Sequence, residues 1–320
     1  MSLDFELHWG VRDTQDFAGY QPNLLGAREV IPRLLSLFEA RNMRCTWAVV
    51  GFLCFQGHAQ LVDELPVLRP SYLRGSASPY GLVEKLAGHD EVSSPCHFAD
   101  SLIRQIARTP GQELGTHTFS HFSCMEPGQS EEQFRHDLRA AIRALERYGV
   151  RPVSIVFPRN QCCYLKSCEE LGITCYREDP THWIYNPDRT CSFLLLRRAL
   201  KLVDSYISVT GDNLFETPRS SPGQIINVPA SAVLRPVPKQ RWRKYLEPLR
   251  LRRITQAMTR AARRGQNYHL YWHPHNFGLQ QDANLKFLEQ ILDHFDRLKA
   301  IHGFSSASMG DFSKERVPNL

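Results

Sequence analysis

Thr46-Trp-Ala-Val-Val-Gly-Phe52 is a continuous apolar run rich in β-branched residues. Such a run suits a strand buried on both faces, as in a parallel sheet covered by helices. Its flanks agree. Ile31, Leu34, Leu35 and Phe38 recur at helical spacing, so 27–41 reads as a helix. Downstream, 101–108 reads as a helix and 113–116 as a very short strand. Ser130 caps a helix running to Tyr148, with Glu131 and Glu132 in its first turn. A strand at 153–157, a helix at 165–171 closed by Gly172 and a strand at 173–176 follow. Further on, 193–203 reads as a helix, 225–228 as a strand, 254–264 as a helix closed by Gly265, 268–272 as a strand and 284–300 as a helix. A short strand at 2–7 opens the chain. Strand and helix alternate nearly throughout, which predicts an α/β fold with parallel strands and helical crossovers. The stretch 56–98 breaks the rhythm with Pro66, Pro70, Gly75, Pro79 and Gly81 and reads as an insertion.

The 320 residues are 42% hydrophobic and 22% charged, which excludes disorder and fibrous repeats. A chain of this length buries roughly three quarters of its unfolded surface and needs no staple to fold. The longest apolar run, 46–55, is far short of the roughly 20 residues of a membrane span. The opening residues carry no basic segment followed by an apolar one, so no export signal is expected. The nine cysteines form no Cys-x-x-Cys pair, and reduced thiols in a cytoplasm are expected. Cys162, Cys163 and Cys168 read as buried structural thiols. The net charge of +6 is mild, and no nucleic-acid partner is expected.

The chemistry gathers where strands end. Asp4-Phe-Glu6 places two carboxylates on one side of the first strand. His117 and His121 lie four apart after the third strand, a spacing that puts both imidazoles on one face of a helical turn. Pro158-Arg159-Asn160 follows the fourth strand and His273-Pro-His275 the last. In parallel α/β folds the C-terminal strand ends converge on the active site. Two carboxylates, four imidazoles and a guanidinium therefore point to one site.

On these residues the chain resembles the polysaccharide deacetylase family, the NodB-homology group also called carbohydrate esterase family four. The resemblance implies a deformed (β/α) barrel carrying five short motifs. Asp4 matches the general base of the first motif. Glu6 matches its metal ligand in the D-x-D spacing some members use, with Glu where Asp is expected. His117-Thr-Phe-Ser-His121 matches the second motif, His-[Ser/Thr]-x-x-His, in full. Phe157-Pro158-Arg159 matches the third in position and chemistry, not in exact string. Asp179 and Trp183 stand where the fourth motif supplies an Asp and a Trp. Leu270-Tyr-Trp-His273 matches the fifth, Leu-x-x-His. One catalytic domain over 1–320 is expected, with the insertion at 56–98 and a C-terminal helical extension at 278–320. Only Ser2 and Leu3 precede Asp4, where a barrel strand usually has about five residues; the expectation is a reading frame that begins upstream.

The resemblance implies a metal-dependent hydrolase that removes N-acetyl groups from a sugar. A divalent ion, zinc by preference, would be held by Glu6, His117 and His121. Asp4 would take a proton from water, with Arg159 holding Asp4 ionised, and His273 would protonate the departing amine. His275 rivals His273 for that role. Asp13, Trp183, Trp272 and His275 would line the substrate. Two other readings stand beside this one: a metal-independent amidohydrolase of the allantoinase-like type, and a non-catalytic carbohydrate-binding relic. A cytoplasmic enzyme cannot reach finished wall polymer, so a nucleotide- or lipid-linked intermediate of surface glycan assembly is the expected substrate. The stretch 241–264 carries eight Arg and one Lys against Glu247 alone. Leu251, Ile254, Met258 and Ala261 predict a helix packed on the barrel with its arginines in solvent. Those arginines are candidates for contact with a diphosphate or with the anionic inner face of a membrane.

Overall fold

A computed structural model of the chain describes residues 1–180, 182–185, 194–218 and 224–314. Its strands are β1 (Ser2–Phe5), β2 (Cys45–Val49), β3 (Gln112–Thr116), β4 (Ser154–Val156), β5 (Cys175–Arg177), β6 (Ile226–Asn227), β7 (Ala232–Val233) and β8 (Leu270–Trp272). They form one sheet in the order β6-β5-β4-β3-β2-β1-β8-β7. Every pair is parallel. The main helices are α1 (Phe17–Ala40), α2 (Asp100–Arg108), α3 (Glu131–Glu146), α4 (Leu165–Glu170), α5 (Leu194–Asp204), α6 (Glu247–Arg264) and α7 (Gln281–His302). The expected parallel sheet with helical crossovers is present.

The two edge strands of that order are joined directly. Val228 N–H donates to Tyr176 and Ala230 N–H to Glu178, continuing the ladder with β5. Ser231 N–H then donates to His269 and Leu234 N–H to Tyr271, so the same extended segment has changed neighbours to β8. One bent strand therefore closes the curled sheet into a deformed barrel. Its outward side chains, such as Leu3, Phe5, Trp47 and Trp272, are fully buried under helices. Its inward ones, including Ser2, Asp4, Arg177 and His269, are polar and equally buried. Met309 and Gly310 cross the N-terminal end, donating to Thr46 Oγ1 at 2.7 Å and to Glu113 at 2.9 Å. The functional residues are left at the other end.

Several boundaries shift for physical reasons. Helix α1 starts at Phe17, well before the expected residue 27, because Asp16 caps it by accepting from Gly19 N–H at 2.8 Å. Pro22 and Pro32 lie inside it. Ser130 and Gln133 form a full capping box at the start of α3. The insertion folds into short helices, His58–Asp63 and Tyr80–Lys85, whose Leu61, Tyr80 and Val83 join the main core. Helix α6 begins at Glu247, and its arginines divide. Arg252, Arg263 and Arg264 face solvent, but Arg250 and Arg253 are buried. Arg250 bonds Glu247 and the carbonyl of Arg235, and Arg253 bonds Asp204 at 2.9 Å. The expected solvent-facing arginine surface is thus corrected: two of its members are internal counter-ions, each desolvated guanidinium being offset by a carboxylate. Among the described residues, no helix is long and apolar enough to cross a membrane.

Candidate active site

Alternation along β1 sends Ser2 and Asp4 inward and Leu3 and Phe5 toward the helices. Glu6 continues inward just past the strand. Glu6 fits only because residue 10 is glycine: a Cβ there would stand 1.9 Å from the Glu6 carboxyl carbon. Its Oε2 lies 3.3 Å from His117 Nε2 and 3.2 Å from His121 Nε2. All three side chains are nearly inaccessible to solvent.

The two histidines do not share a helical turn, as their spacing had suggested. They sit on a loop with Thr118 at φ 62° and His121 at φ 56°. Left-handed backbone costs non-glycine residues about 1–3 kcal/mol each, so the loop needs fixing from outside. Asp137 of α3 supplies much of that. It accepts from Phe119 N–H at 2.7 Å, from Ser120 N–H at 3.1 Å and from the Ser120 hydroxyl. Gly51 and Phe52 N–H hold the Thr118 and Phe119 carbonyls at 3.0 Å. A Cβ on Gly51 would meet the Phe119 ring at 2.4 Å.

The donor set fits a metal ion. His117 Nδ1–H donates to the Val156 carbonyl at 2.8 Å, which leaves its Nε2 lone pair facing Glu6. Burial pushes the His121 pKa down to about 4, so that ring is neutral at physiological pH. Burial works against the Glu6 charge, but His273, His117 and His121 outweigh it and hold its pKa well below the usual carboxylate range. Two imidazole nitrogens and a carboxylate oxygen, all within 4.8 Å of one another, make a donor set that a divalent cation would satisfy.

Asp4 lies beside this cluster, and its partner is not Arg159. Arg177, the last residue of β5, donates from Nη1 to Asp4 Oδ1 at 2.6 Å and from Nη2 to Oδ2 at 2.7 Å. It also bonds Ser2 Oγ at 2.9 Å and Asn160 Oδ1 at 3.1 Å, and its guanidinium lies 4.1 Å from the Tyr271 ring centroid. Burial opposes ionisation of Asp4, yet Arg177, His273 and His117 prevail and lower its pKa. Arg159 instead pairs with Asp13 at the rim, with Arg74 3.9 Å from the same carboxylate. The reason is geometric. Arg159 leaves β4 in left-handed backbone at φ 59°, whereas Arg177 still belongs to a strand and points inward.

The remaining candidates separate by exposure. His273 Nε2 lies 3.6 Å from both Asp4 and Glu6, and its side chain is 28% exposed. His275 is buried against Tyr20, its ring 5.1 Å from that of His273, and burial lowers its pKa to about 4. Asp13, expected to line the substrate, is held in an ion pair with Arg159. Trp272 does not line the substrate: it is fully buried, stacked on Phe277 and edge-on to Phe38, on the helix side of β8. Trp183 lies in the turn Trp183–Tyr185, and its side chain is outside those described. Asp179 accepts from Asn160 at 3.0 Å and from the Tyr271 hydroxyl at 3.4 Å, and burial raises its pKa against the pull of Arg177 and Lys201.

Sequence reasoning missed Arg177, Asn160's bridging role and Asp137. Arg177 directly follows the expected strand 173–176, the same strand-end position that singled out Asp4 and His273. Asp137 carried a subtler signal, an acid set between Phe134 and Ala141 on the apolar stripe of α3.

No family model matches the sequence, and no curated protein matches it. Solved structures do. A Mycobacterium smegmatis protein assigned as a polysaccharide deacetylase superposes with TM-score 0.57 at 17% identity, covering 98% of this chain and 88% of its own. A 4-alpha-glucanotransferase from Thermococcus litoralis gives 0.53 at 11%, covering 100% and 40%. A GH57 branching enzyme from Thermococcus kodakaraensis gives 0.52 at 12%, covering 99% and 71%. At these identities the likeness is one of fold, and by fold this chain is a deformed (β/α) barrel of the polysaccharide deacetylase type.

Proposed function

We propose that this chain is a metal-dependent hydrolase that removes N-acetyl groups from an N-acetylated sugar linked to a nucleotide or lipid carrier. The observation that carries the reading is the meeting of Glu6, His117 and His121 beside Asp4 and His273 at one end of the barrel. Glu6 and the two Nε2 atoms would hold a divalent ion, and zinc suits two imidazoles and a carboxylate. When bound, such an ion acidifies water and polarises an amide carbonyl.

The chain's own groups supply the proton transfers. Asp4 accepts the proton of the attacking water. Arg177 keeps Asp4 ionised and fixes both of its oxygens. His273 is open enough to reach a substrate, and it protonates the departing amine nitrogen. Amide cleavage requires that proton because an amide anion is a poor leaving group. His275 is too buried to exchange protons with substrate and supports the rim on which His273 stands.

The test is metal content. Protein stripped with chelator and reconstituted with zinc should hold about one ion per chain, and His117→Ala/His121→Ala almost none. Acetate release from N-acetylated sugars should follow metal content. A wild type that retains no specific metal would overturn the reading and favour a metal-independent amidohydrolase or a binding protein.

A further inference from the structure

The barrel register places a cation next to the candidate proton donor. Ser2 and Val233 are both Cα partners of Tyr271 across β1, β8 and β7. Two residues further along the same strands stand Asp4, His273 and Arg235. Continued past the strand ends, the same register brings these three to one level at the C-terminal rim, where neighbouring strands lie about 4.8 Å apart. The last ladder bond lies just before this level, where Leu234 N–H donates to the Tyr271 carbonyl at 2.7 Å, and His273 keeps extended backbone at φ −103° and ψ 130°. In-register neighbours share a face, so Arg235 faces the interior with Tyr271 and His273.

Arg235 is poorly compensated. Among the described residues its Nη2 reaches only the Lys201 carbonyl, at 3.4 Å, and its buried Nε meets no partner. Lys201, on α5, is half-buried with its ammonium 5.1 Å from the Tyr185 ring centroid. Among the described residues neither Lys201 nor Arg235 forms an ion pair. Asp179 attracts Lys201 but is already engaged by Asn160, Tyr271 and the field of Arg177. Burial lowers the pKa of both cations, and each also feels a neighbouring like charge. The arginines of α6 differ, since Arg250 and Arg253 have their carboxylates. Half-buried cations without counter-ions cost stability. They are retained where function uses them.

We propose that Lys201 and Arg235 form a phosphate subsite beside His273, and that the sugar cut here carries a phosphate on its carrier side. A phosphate takes up a guanidinium fork and a point ammonium together. The proposal rests on the hydrolase reading for its substrate but not for its site.

The experiment compares acetate release from an N-acetylhexosamine 1-phosphate, the neutral N-acetylhexosamine and an N-acetylhexosaminuronate. It uses the wild type, Arg235→Gln and Lys201→Met. Calorimetric titration of inorganic phosphate into each protein runs alongside. The wild type should prefer the phosphorylated sugar by about tenfold or more in kcat/KM, and each variant should lose about that much of the preference, through KM. Phosphate affinity should fall in step. Phosphate that binds the variants as it binds the wild type, or a wild type that prefers the uronate or has no preference, overturns the subsite. Phosphate binding lost in the variants, with no acetate from any sugar, keeps the subsite and removes the deacetylase reading. Acetate release without preference does the reverse.

Discussion

Removing Arg177 should cripple the site and destabilise the barrel together. The guanidinium is fully buried and bonds both oxygens of Asp4, itself 4% exposed at the side chain. Arg177→Met leaves the Asp4 carboxylate in the interior with only imidazoles near it. Breaking a buried pair by deleting one partner costs about 3–5 kcal/mol. That is a large part of the roughly 5–15 kcal/mol that holds a typical domain together. Arg159→Met is the internal control. Its partner Asp13 keeps Arg12 and Arg74 nearby, so the loss should be nearer about 1.5–3 kcal/mol, the worth of a charged hydrogen bond. The assay is urea unfolding of wild type, both single variants and Asp4→Leu/Arg177→Met. The double variant should recover most of the single-variant loss, because it removes the stranded charge. Arg177→Lys keeps the charge but not the fork, and should fall between wild type and Arg177→Met. A loss below about 1 kcal/mol for Arg177→Met, or a greater loss for Arg159→Met, would refute Arg177 as the counter-ion of Asp4.

Other outcomes follow from the same geometry. Asp137→Ala should weaken metal binding about 10- to 100-fold, the usual effect of losing a group that orients the ligands, and equilibrium dialysis reads this directly. Burial raises the Asp137 pKa to about 6, above the unfolded value near 4. The folded state therefore holds this proton more tightly. The stabilisation it brings is full below about pH 4 and is lost as pH rises through about 6. Asp137→Ala should flatten that part of the stability-versus-pH curve, and an unchanged slope would reject the assignment. His273→Ala should lower turnover about 10²- to 10⁴-fold, the range for losing a general acid. His275→Ala should lower the melting temperature more than the turnover; the opposite ranking would exchange the two roles. Arg250→Glu should destabilise the fold by several kcal/mol because it sets a second acid beside Glu247. Arg252→Glu should stay within about 0.5 kcal/mol of wild type. Equal effects of the two on unfolding would contradict the division of the arginines on α6.

The reach of the sequence can be followed residue by residue. Thr46–Phe52 and its alternating flanks were enough for a parallel α/β sheet, since periodicity is a local property of the chain. The same holds for the meeting of Asp4, Glu6, His117, His121 and His273: parallel strands all deliver their C-terminal ends to one rim. What lay beyond the sequence was the partner of each group once there. Asp4 and Arg177 are 173 positions apart, and only the adjacency of strands in the closed barrel makes them an ion pair in place of Arg159. Trp272 and His273 are neighbours in sequence, yet alternation sends one into the core and leaves the other by the site. Arg250 and Arg252 look alike in a basic run, and only packing buries the first. The single bent strand that closes the barrel, and with it the place of Arg235 beside His273, depends on two short ladders that carry almost no local pattern. Local sequence thus determined which elements form and which ends carry chemistry. Tertiary structure decided which charges meet, because burial and pairing are set by residues far apart along the chain.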